Sequence, residues 1–475
     1  MKINFKKTVS LLTALALCFA FAGCNNSSTT STESWIEEDV VIKGSTTQSS
    51  GSKNSTDGNQ SAQTNNNGKA LSWNEIKAQM PSALRGTTVT LWDWNNVSDR
   101  PGASDVIDKF TKETGIKVNF VRQSGGTDEY ATKVTAAVAS NKAPDIVRLR
   151  GYEMGLINSL QPVENIKFDF NDKAWDSRVL NYYSFGGKRY AVNLQDTLYQ
   201  QPYMLIYNKN LIGKYDLEDP YTLWKQGKWT ITKFEEILKT FKEEARNDYT
   251  AWTSYQFEDV ANWYGQSLVM RNGDKFVNNT SNKNLVKGLQ TYSNWVEKGY
   301  VTSVRFDRTN FENGKILFFT ESPIGLRRTH YYFAELKKAG SLSAVPNPTV
   351  DGGLSKDTTM ISEFEAYGFP KGAPNAVGAA YFLRYFLDAN NYDKNTFFTD
   401  KTVLDVYETL MKNSKVFKNS DYYLITADNG TRGEAMAEKL AAARSNQIVT
   451  TLDGFSPVVN NNVKSVNSIV GHLGK

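Results

Sequence analysis

The chain has 475 residues, a formal net charge of +5, and acidic and basic residues interspersed along its length. Without a cationic stripe it lacks the electrostatic footprint of a nucleic-acid-binding protein, so nucleic acid is not an expected partner. Its cysteines, Cys18 and Cys24, allow no disulfide framework or zinc-finger pattern, and a chain of this length can bury a sizeable apolar core instead.

Residues 1–23 have the features of an export signal. Lys2, Lys6 and Lys7 precede an apolar stretch, residues 9–21, that is short for a membrane span. The sequence Phe-Ala-Gly-Cys at residues 21–24 resembles the lipobox of bacterial lipoproteins, which implies cleavage before Cys24 and lipidation of that cysteine. An ordinary secretory signal is the alternative. Removing the signal lowers the formal charge from +5 to about +2.

Residues 24–84 are predicted to form a lipidated, disordered tether and a short lead-in to the folded part. Most of this segment consists of Ser, Thr, Asn, Gln and Gly, which cannot bury enough apolar area to offset the entropy lost on ordering. No later apolar run has the length of a transmembrane helix, so the lipid is the only predicted attachment to the bilayer.

Strand and helix patterns alternate after the tether. Residues 87–92 predict a strand, residues 103–114 a helix that stops at Gly115, and residues 116–121 a second strand. A helix at 129–140 and a strand beginning at 143–147 follow. This alternation indicates an α/β fold with parallel strands and right-handed crossovers. Further helices are predicted at 232–245, 284–298, 376–389 and 433–443.

Five segments then resemble one protein family in their order and spacing. They are Thr88-Val-Thr-Leu-Trp92, Phe110-Thr-Lys-Glu-Thr-Gly-Ile-Lys-Val118, Tyr130-Ala-Thr-Lys-Val134 through Ala143-Pro-Asp-Ile146, Gly187-Lys-Arg-Tyr-Ala-Val192 and Leu205-Ile-Tyr-Asn-Lys-Asn210. The pattern is similar to the extracellular solute-binding proteins of family 1, the sugar-binding lipoproteins of ABC transporters related to maltose-binding protein. The resemblance covers residues 86–388, with a departure at Asn193, where proline is usual.

This resemblance implies a two-lobed periplasmic-binding-protein-like fold with a hinge that the chain crosses more than once. Lobe I is expected at 85–197 plus 362–425, and lobe II at 198–361 plus 426–475. The implied function is capture of a carbohydrate, in particular an oligosaccharide, at the outer face of the membrane and its delivery to ABC transporter permease subunits. We expect a monomer with no cofactor and no metal site.

Candidate ligand-binding residues follow the predicted strands. Trp94, Asn95 and Asn96 come just after the first strand, and Arg150 follows the third, at the edge where open α/β sheets bind ligands. Indoles, amides and a guanidinium suit a hydroxyl-rich ligand. A turn or helix cap is the alternative for Asn96, and a salt bridge for Arg150.

The remaining candidates depend more on the family resemblance. Tyr199 and Gln201 lie in the segment that crosses between lobes, and the spacing places Trp263 near the cleft. Glu321, Arg327 and Glu363 complete the candidate set. The aromatic side chains have a core role as their alternative, and Glu321 with Arg327 a surface ion pair.

Catalysis is the competing interpretation, in the form of a secreted polysaccharide-active lipoprotein enzyme. Glu363 and Glu365 could in principle act as a glycosidase pair, but on an extended segment both would face the same side. His330 and His472 are isolated, and the common nucleophile, phosphate-binding and metal motifs are missing. The sequence therefore favours a binding protein.

Overall fold

The computed structural model describes residues 69–473 except 96, 98–99, 125, 150–153, 255–256, 303–306, 329, 353–358, 362–364, 399, 414–415 and 419–437. The predicted signal, Cys24 and the tether up to residue 68 therefore lie outside the described residues, as do Asn96, Arg150 and Glu363. Among the helices of the described part, none is both long enough and apolar enough to cross a membrane.

Helices and strands alternate along most of the chain. The strands are β1 (Thr88–Asp93), β2 (Lys117–Arg122), β3 (Ile146–Leu149), β4 (Ser184–Phe185), β5 (Lys188–Arg189), β6 (Ala191–Val192), β7 (Met204–Asn208), β8 (Thr250–Thr253), β9 (Val269–Asn272), β10 (Lys275–Asn278), β11 (Ile316–Glu321), β12 (Leu342–Val345), β13 (Thr359–Ile361), β14 (Ala366–Gly368) and β15 (Val416–Lys418). The helices are α1 (Trp73–Ala78), α2 (Ala103–Thr114), α3 (Gly126–Ala139), α4 (Met154–Ile157), α5 (Ser177–Tyr182), α6 (Lys209–Lys214), α7 (Pro220–Lys225), α8 (Ile231–Glu244), α9 (Asp259–Trp263), α10 (Lys283–Glu297), α11 (Arg308–Glu312), α12 (Pro323–Leu326), α13 (Ala334–Lys338), α14 (Ala376–Phe386), α15 (Lys394–Phe397), α16 (Lys401–Asn413) and α17 (Ile448–Val470).

The first sheet has five strands in the order β2-β1-β3-β14-β6. Strands β1, β2 and β3 are parallel, as the alternating pattern predicted, and β14 runs antiparallel to both of its neighbours. Helix α2 ends at Gly115, whose φ of 75° is in the left-handed region that glycine adopts without strain. Its buried Phe110 contacts Phe382 of α14, with 5.4 Å between ring centroids. The first sheet and its helices form the first lobe.

The second sheet has the order β12-β7-β11-β8, in which β7 is antiparallel to both neighbours and β11 is parallel to β8. Its core is aromatic. Phe234 of α8 lies 5.6 Å from Trp252, 5.5 Å from Trp263 and 5.6 Å from Trp295, measured between ring centroids. This sheet and its helices form the second lobe.

Among the described residues, two segments of the chain connect the strands of one sheet to those of the other. Residues 193–203 connect β6 to β7, and residues 346–365 lead from β12 back to β14. The expectation of a hinge crossed more than once is therefore confirmed. In addition, β13 pairs with β15, and the Asn467 side chain of α17 hydrogen-bonds both backbone groups of Phe276 in β10.

Candidate functional site

A cluster of buried charges lies at one edge of the first sheet. Asp93 ends β1 and Arg148 lies in β3, while Glu365 directly precedes β14. Because β14 is antiparallel to β3, its beginning meets the carboxyl ends of β1 and β3. This is the edge at which α/β sheets place their ligands. All three side chains are almost fully buried.

Two arginines neutralise the two carboxylates. The Nη1 of Arg148 donates to both oxygens of Asp93 at 3.1 and 3.2 Å, and its Nη2 donates to Glu365. The Nη2 of Arg100 approaches Glu365 at 3.2 Å and Asp93 at 3.5 Å, and its Nη1 donates to the Tyr367 hydroxyl at 2.9 Å. A buried pair of this kind depends on every partner, since removing one leaves a charge without compensation.

The pKa values report the balance of forces in the cluster. Burial alone would raise the pKa of Glu365, but attraction to Arg100, Arg148 and Arg327, together with a hydrogen bond from Gln201, outweighs burial and lowers that pKa to about 2. Burial opposes the charge of Arg100 and Arg148, yet the nearby carboxylates raise the pKa of both. Glu365, Arg100 and Arg148 are therefore ionised at neutral pH.

The connection from the first sheet to the second contributes amides to the cluster. The Nε2 of Gln201 donates to Glu365 Oε1 at 2.6 Å. The Nε2 of Gln200 donates to the Glu365 carbonyl at 2.9 Å, and its Oε1 accepts from the Glu365 N–H at 3.1 Å. Asn193 also donates to that carbonyl. The two connections between the sheets thus meet at Glu365.

Aromatic faces flank the guanidinium groups. The Arg148 guanidinium lies 4.6 Å from the centroid of the Trp94 ring, and Trp94 packs edge-on against Tyr130 at 5.0 Å. The Arg100 guanidinium lies 4.5 Å from the Tyr199 ring centroid. Such cation–π contacts hold the guanidinium groups in fixed planes.

Arg327 reaches the cluster from the second lobe. It follows α12, only 7% of it is exposed, and its guanidinium lies 5.6 Å from the Tyr199 ring centroid. Its Nε and Nη2 are buried and have no hydrogen-bond partner among the described residues. Burial lowers the pKa of Arg327, and attraction to Glu365 does not fully offset that effect.

Trp94, Tyr199, Gln201 and Arg327, predicted from the sequence, are thus brought together. Asn95 lies beside them, with an exposed side chain and a backbone N–H that donates to Asp93 at 2.9 Å.

Glu321 and Trp263 share no hydrogen bond, ion pair or ring contact with the described residues of the cluster. Glu321 is buried and accepts from Arg308 at 3.4 Å, so the ion pair considered for it forms with Arg308 and not with Arg327. Trp263 is in the aromatic core of the second lobe. Its Nε1 and the side-chain amide of its neighbour Asn262 are buried without hydrogen-bond partners among the described residues.

The ligand-binding candidates chosen from the sequence did not include the cluster residues Asp93, Arg100, Arg148, Gln200 and Glu365. Arg148 lies two residues before the candidate Arg150, and Glu365 lies two residues after the candidate Glu363. Asp93 could have been selected from the sequence, because it lies at the end of the predicted first strand, where ligand-binding residues are expected. The pairing of Arg100 with Glu365, which are 265 residues apart, has no local signal.

A cavity of about 740 Å³ lies elsewhere, between the start of α1, the first connection and helices α14 and α16. Charged groups on its walls pair with one another: Arg384 donates to Asp388 at 3.0 Å and Lys394 to Asp196 at 3.3 Å. Among the described residues, the cavity has fewer buried hydrogen-bond donors without a partner than the cluster has. We therefore take the cluster as the candidate site. Across the described part of the chain, no group of three or more His, Cys, Asp or Glu side chains is placed to hold a metal ion.

Comparison with known proteins supports the resemblance found in the sequence. A family model described as bacterial extracellular solute-binding protein matches residues 105–401, more than half of the chain. No curated protein is significantly similar in sequence.

Solved structures match over most of the chain. The sugar-binding protein MalE from Xanthomonas citri has 16% identity and a TM-score of 0.60, and the match covers 82% of this chain and 100% of that one. The galacto-N-biose/lacto-N-biose I-binding protein of an ABC transporter from Bifidobacterium longum has 17% identity and a TM-score of 0.60, covering 80% and 98%. The GacH receptor of Streptomyces glaucescens has 18% identity and a TM-score of 0.52, covering 81% and 99%. At these identities the likeness shows the fold, and it confirms the predicted two-lobed architecture.

Proposed function

The chain belongs to the family of bacterial extracellular solute-binding proteins, and we propose that it captures a carbohydrate between its two lobes and delivers it to an ABC importer. Structures with the same fold include a receptor solved with acarbose and a binding protein solved with lacto-N-biose. The family is extracellular, which agrees with the export signal predicted at residues 1–23.

One observation supports this proposal most directly. Donors and aromatic faces converge where the two connections between the sheets meet, with Arg327 contributed by the second lobe and Trp94 by the first. Ligand sites usually combine apolar walls with a small number of fixed polar groups, and a site between two lobes can close over its ligand. Planar donors beside aromatic rings suit the hydroxyl groups and the apolar C–H face of a pyranose.

The carboxylates of the cluster favour binding over hydrolysis. A glycosidase needs one carboxylic acid that can donate a proton and a second carboxylate available to act as base or nucleophile. Here Asp93 and Glu365 are both occupied by arginines, and a pKa of about 2 keeps Glu365 ionised. The polysaccharide-active enzyme considered from the sequence therefore has no support in this cluster.

The membrane attachment and the domain limits are part of the proposal. We place the lipid on Cys24 and the lobes at 85–197 plus 362–425 and at 198–361 plus 426–475, in a monomer that docks on permease subunits. Cys24→Ser should move the protein from the membrane fraction into the medium. If the variant stayed in the membrane fraction, the proposed lipid anchor would be wrong, and the proposed binding role would be unaffected.

A thermal-shift screen against oligosaccharides tests the binding function. A ligand that binds the folded state raises the apparent stability, by about 2.7 kcal/mol at a concentration of 100 times Kd. Trp94→Ala should weaken binding of the identified sugar by about 1–3 kcal/mol. Trp224→Ala is the control. Trp224 lies in α7 of the second lobe, where its ring contacts the Lys225 ammonium and no described residue of the cluster. Stabilisation by amino acids or polyamines and by no carbohydrate would overturn the sugar assignment.

A further inference from the structure

Arg327 is a buried cation that has no bonded counter-charge among the described residues. Its side chain makes no hydrogen bond among the described residues, although Nε and Nη2 are both fully buried. Burying a charge costs several kcal/mol unless hydrogen bonds and an opposite charge compensate it. A position of this kind is unfavourable for the folded protein alone and becomes favourable when a ligand supplies the missing partner.

The neighbouring carboxylates do not supply that partner. Asp93 and Glu365 accept hydrogen bonds from Arg100 and Arg148, so each carboxylate already has bonded cations. Arg327 is attracted to Glu365 through space only and is repelled by Arg100. Within the described part of the cluster, the three guanidinium groups therefore face two carboxylates, which leaves one positive charge in excess.

The two unsatisfied nitrogens of Arg327 have the geometry for a carboxylate. In a guanidinium, Nε and Nη2 lie on one edge and direct two parallel N–H bonds outward, which matches the two oxygens of a carboxylate. The rings of Tyr199 and Phe397 lie 5.6 and 5.3 Å from the guanidinium carbon.

The backbone at Arg327 is anchored on both sides. Arg327 forms a β-bridge with Phe398, and its carbonyl accepts from the Lys337 ammonium at 3.1 Å. Because the backbone is anchored and the side chain is buried against aromatic rings, a ligand that bonds Arg327 would cost little side-chain entropy.

We propose that Arg327 receives the carboxylate of an acidic sugar, so that the ligand is an oligosaccharide containing a uronic acid. This inference rests on the proposed carbohydrate-binding function and makes it more specific. The excess positive charge distinguishes this site from one for a neutral sugar, in which two hydroxyls would meet the same edge and leave the buried cation without compensation.

Paired ligands test the proposal on the purified full-length chain. The probes are oligogalacturonides and glucuronic-acid-substituted xylo-oligosaccharides, each with its methyl ester, together with a neutral and a sulfated oligosaccharide. We expect the acid to bind about 10- to 100-fold more tightly than its ester, the range that a charge-assisted hydrogen-bonded pair contributes. Arg327→Gln should reduce this ratio to about one, and Arg327→Lys, which keeps the charge without the fork, should retain part of it.

The thermal stability of the free protein provides an independent measurement. Since Arg327 is under-compensated, Arg327→Gln should leave the Tm of the ligand-free protein unchanged or raised. A clear drop in Tm, or equal affinity for acid and ester, would overturn the proposal. Tight binding of the sulfated sugar with no binding of uronates would overturn the carboxylate assignment. Binding of neutral sugars alone would refute the inference and preserve the proposed function, whereas binding of no carbohydrate would refute both.

Discussion

The side-chain amide of Gln200 hydrogen-bonds both backbone groups of Glu365, accepting from its N–H at 3.1 Å and donating to its carbonyl at 2.9 Å. The amide thus makes the two backbone hydrogen bonds that a neighbouring β-strand would make, at the residue just before β14. Gln200 lies in the first connection between the lobes and Glu365 ends the second. The two connections are therefore held together by side-chain contacts that no sheet ladder provides.

Gln200→Ala should destabilise the protein by about 1–3 kcal/mol, because it leaves the buried N–H of Glu365 without an acceptor. Urea unfolding at constant m-value would measure this change. Gln195→Ala is the matched control, since Gln195 lies in the same connection and its side chain is exposed. Equal stability of the two variants would show that the amide does not stabilise the connection.

Glu365→Gln tests the electrostatics of the cluster. The folded-state pKa of about 2 is below the ordinary value of 4.5, so ionised Glu365 stabilises the fold at all pH values above about 4.5. That contribution is lost as pH falls from 4.5 through 2, and its size is about 3 kcal/mol.

The variant should therefore be less stable than the wild type at pH 7, and the difference should shrink as pH falls to about 2. Chemical denaturation measured at pH 7, 4.5 and 3 would follow this trend. If the stability difference between variant and wild type did not change with pH, the arginines would not be stabilising the ionised form of Glu365.

Gly288→Ala should disturb the packing of α9 on α10. A Cβ at Gly288 would lie 2.3 Å from the Ala261 Cα, and this contact involves backbone that cannot rotate away. Overpacking of this type costs about 1–3 kcal/mol. Gly213→Ala is the control, because that helical position has no atom within 4 Å of the new Cβ and should gain up to about 1 kcal/mol. Similar unfolding midpoints for the two variants would contradict the close approach of the helices.

Trp263→Phe tests whether the second lobe contributes an indole donor to the ligand. Both Trp263 and Trp295 have a buried Nε1 without a hydrogen-bond partner among the described residues, but Trp295 is fully enclosed and Trp263 is 6% exposed. Trp263→Phe should therefore weaken sugar binding by about 0.5–1.5 kcal/mol, and Trp295→Phe should not. Calorimetric titration of both variants with one ligand would separate them. Equal affinity for the ligand would give Trp263 a purely structural role.

Local pattern predicted the first lobe well. Helix α2 has the predicted limits, because the buried face of Val106 and Phe110 recurs with helical spacing and Gly115 supplies the turn. The end of the chain was harder to predict. Helix α17 contains Pro457 and many asparagines, and it is stabilised by distant contacts such as that of Asn467 with Phe276. Of the helix predicted at 433–443, residues 438–442 are helical and 433–437 lie outside the described residues.

In the candidate site, too, some residues could be predicted from local sequence position and others depend on contacts between distant parts of the chain. Residues next to a strand end or in the crossing segment, such as Trp94 and Gln201, could be selected by position alone. The partners that neutralise the buried charges could not, because Arg100 and Glu365 meet only through the order of strands in the sheet. Position in the sequence therefore identified some of the side chains that lie in the cluster, and the fold determines which of them are already paired.

The first described residues are fastened to the first lobe. The Leu71 N–H donates to Asp172 at 2.8 Å, and its carbonyl accepts from Arg384 at 2.7 Å. If the chain is held at the membrane through Cys24, any pull along the tether acts on the first lobe and leaves the second unloaded. Under the proposed function, the first lobe would then be the fixed part of the protein, and closure on a sugar would move the second lobe, which carries Arg327.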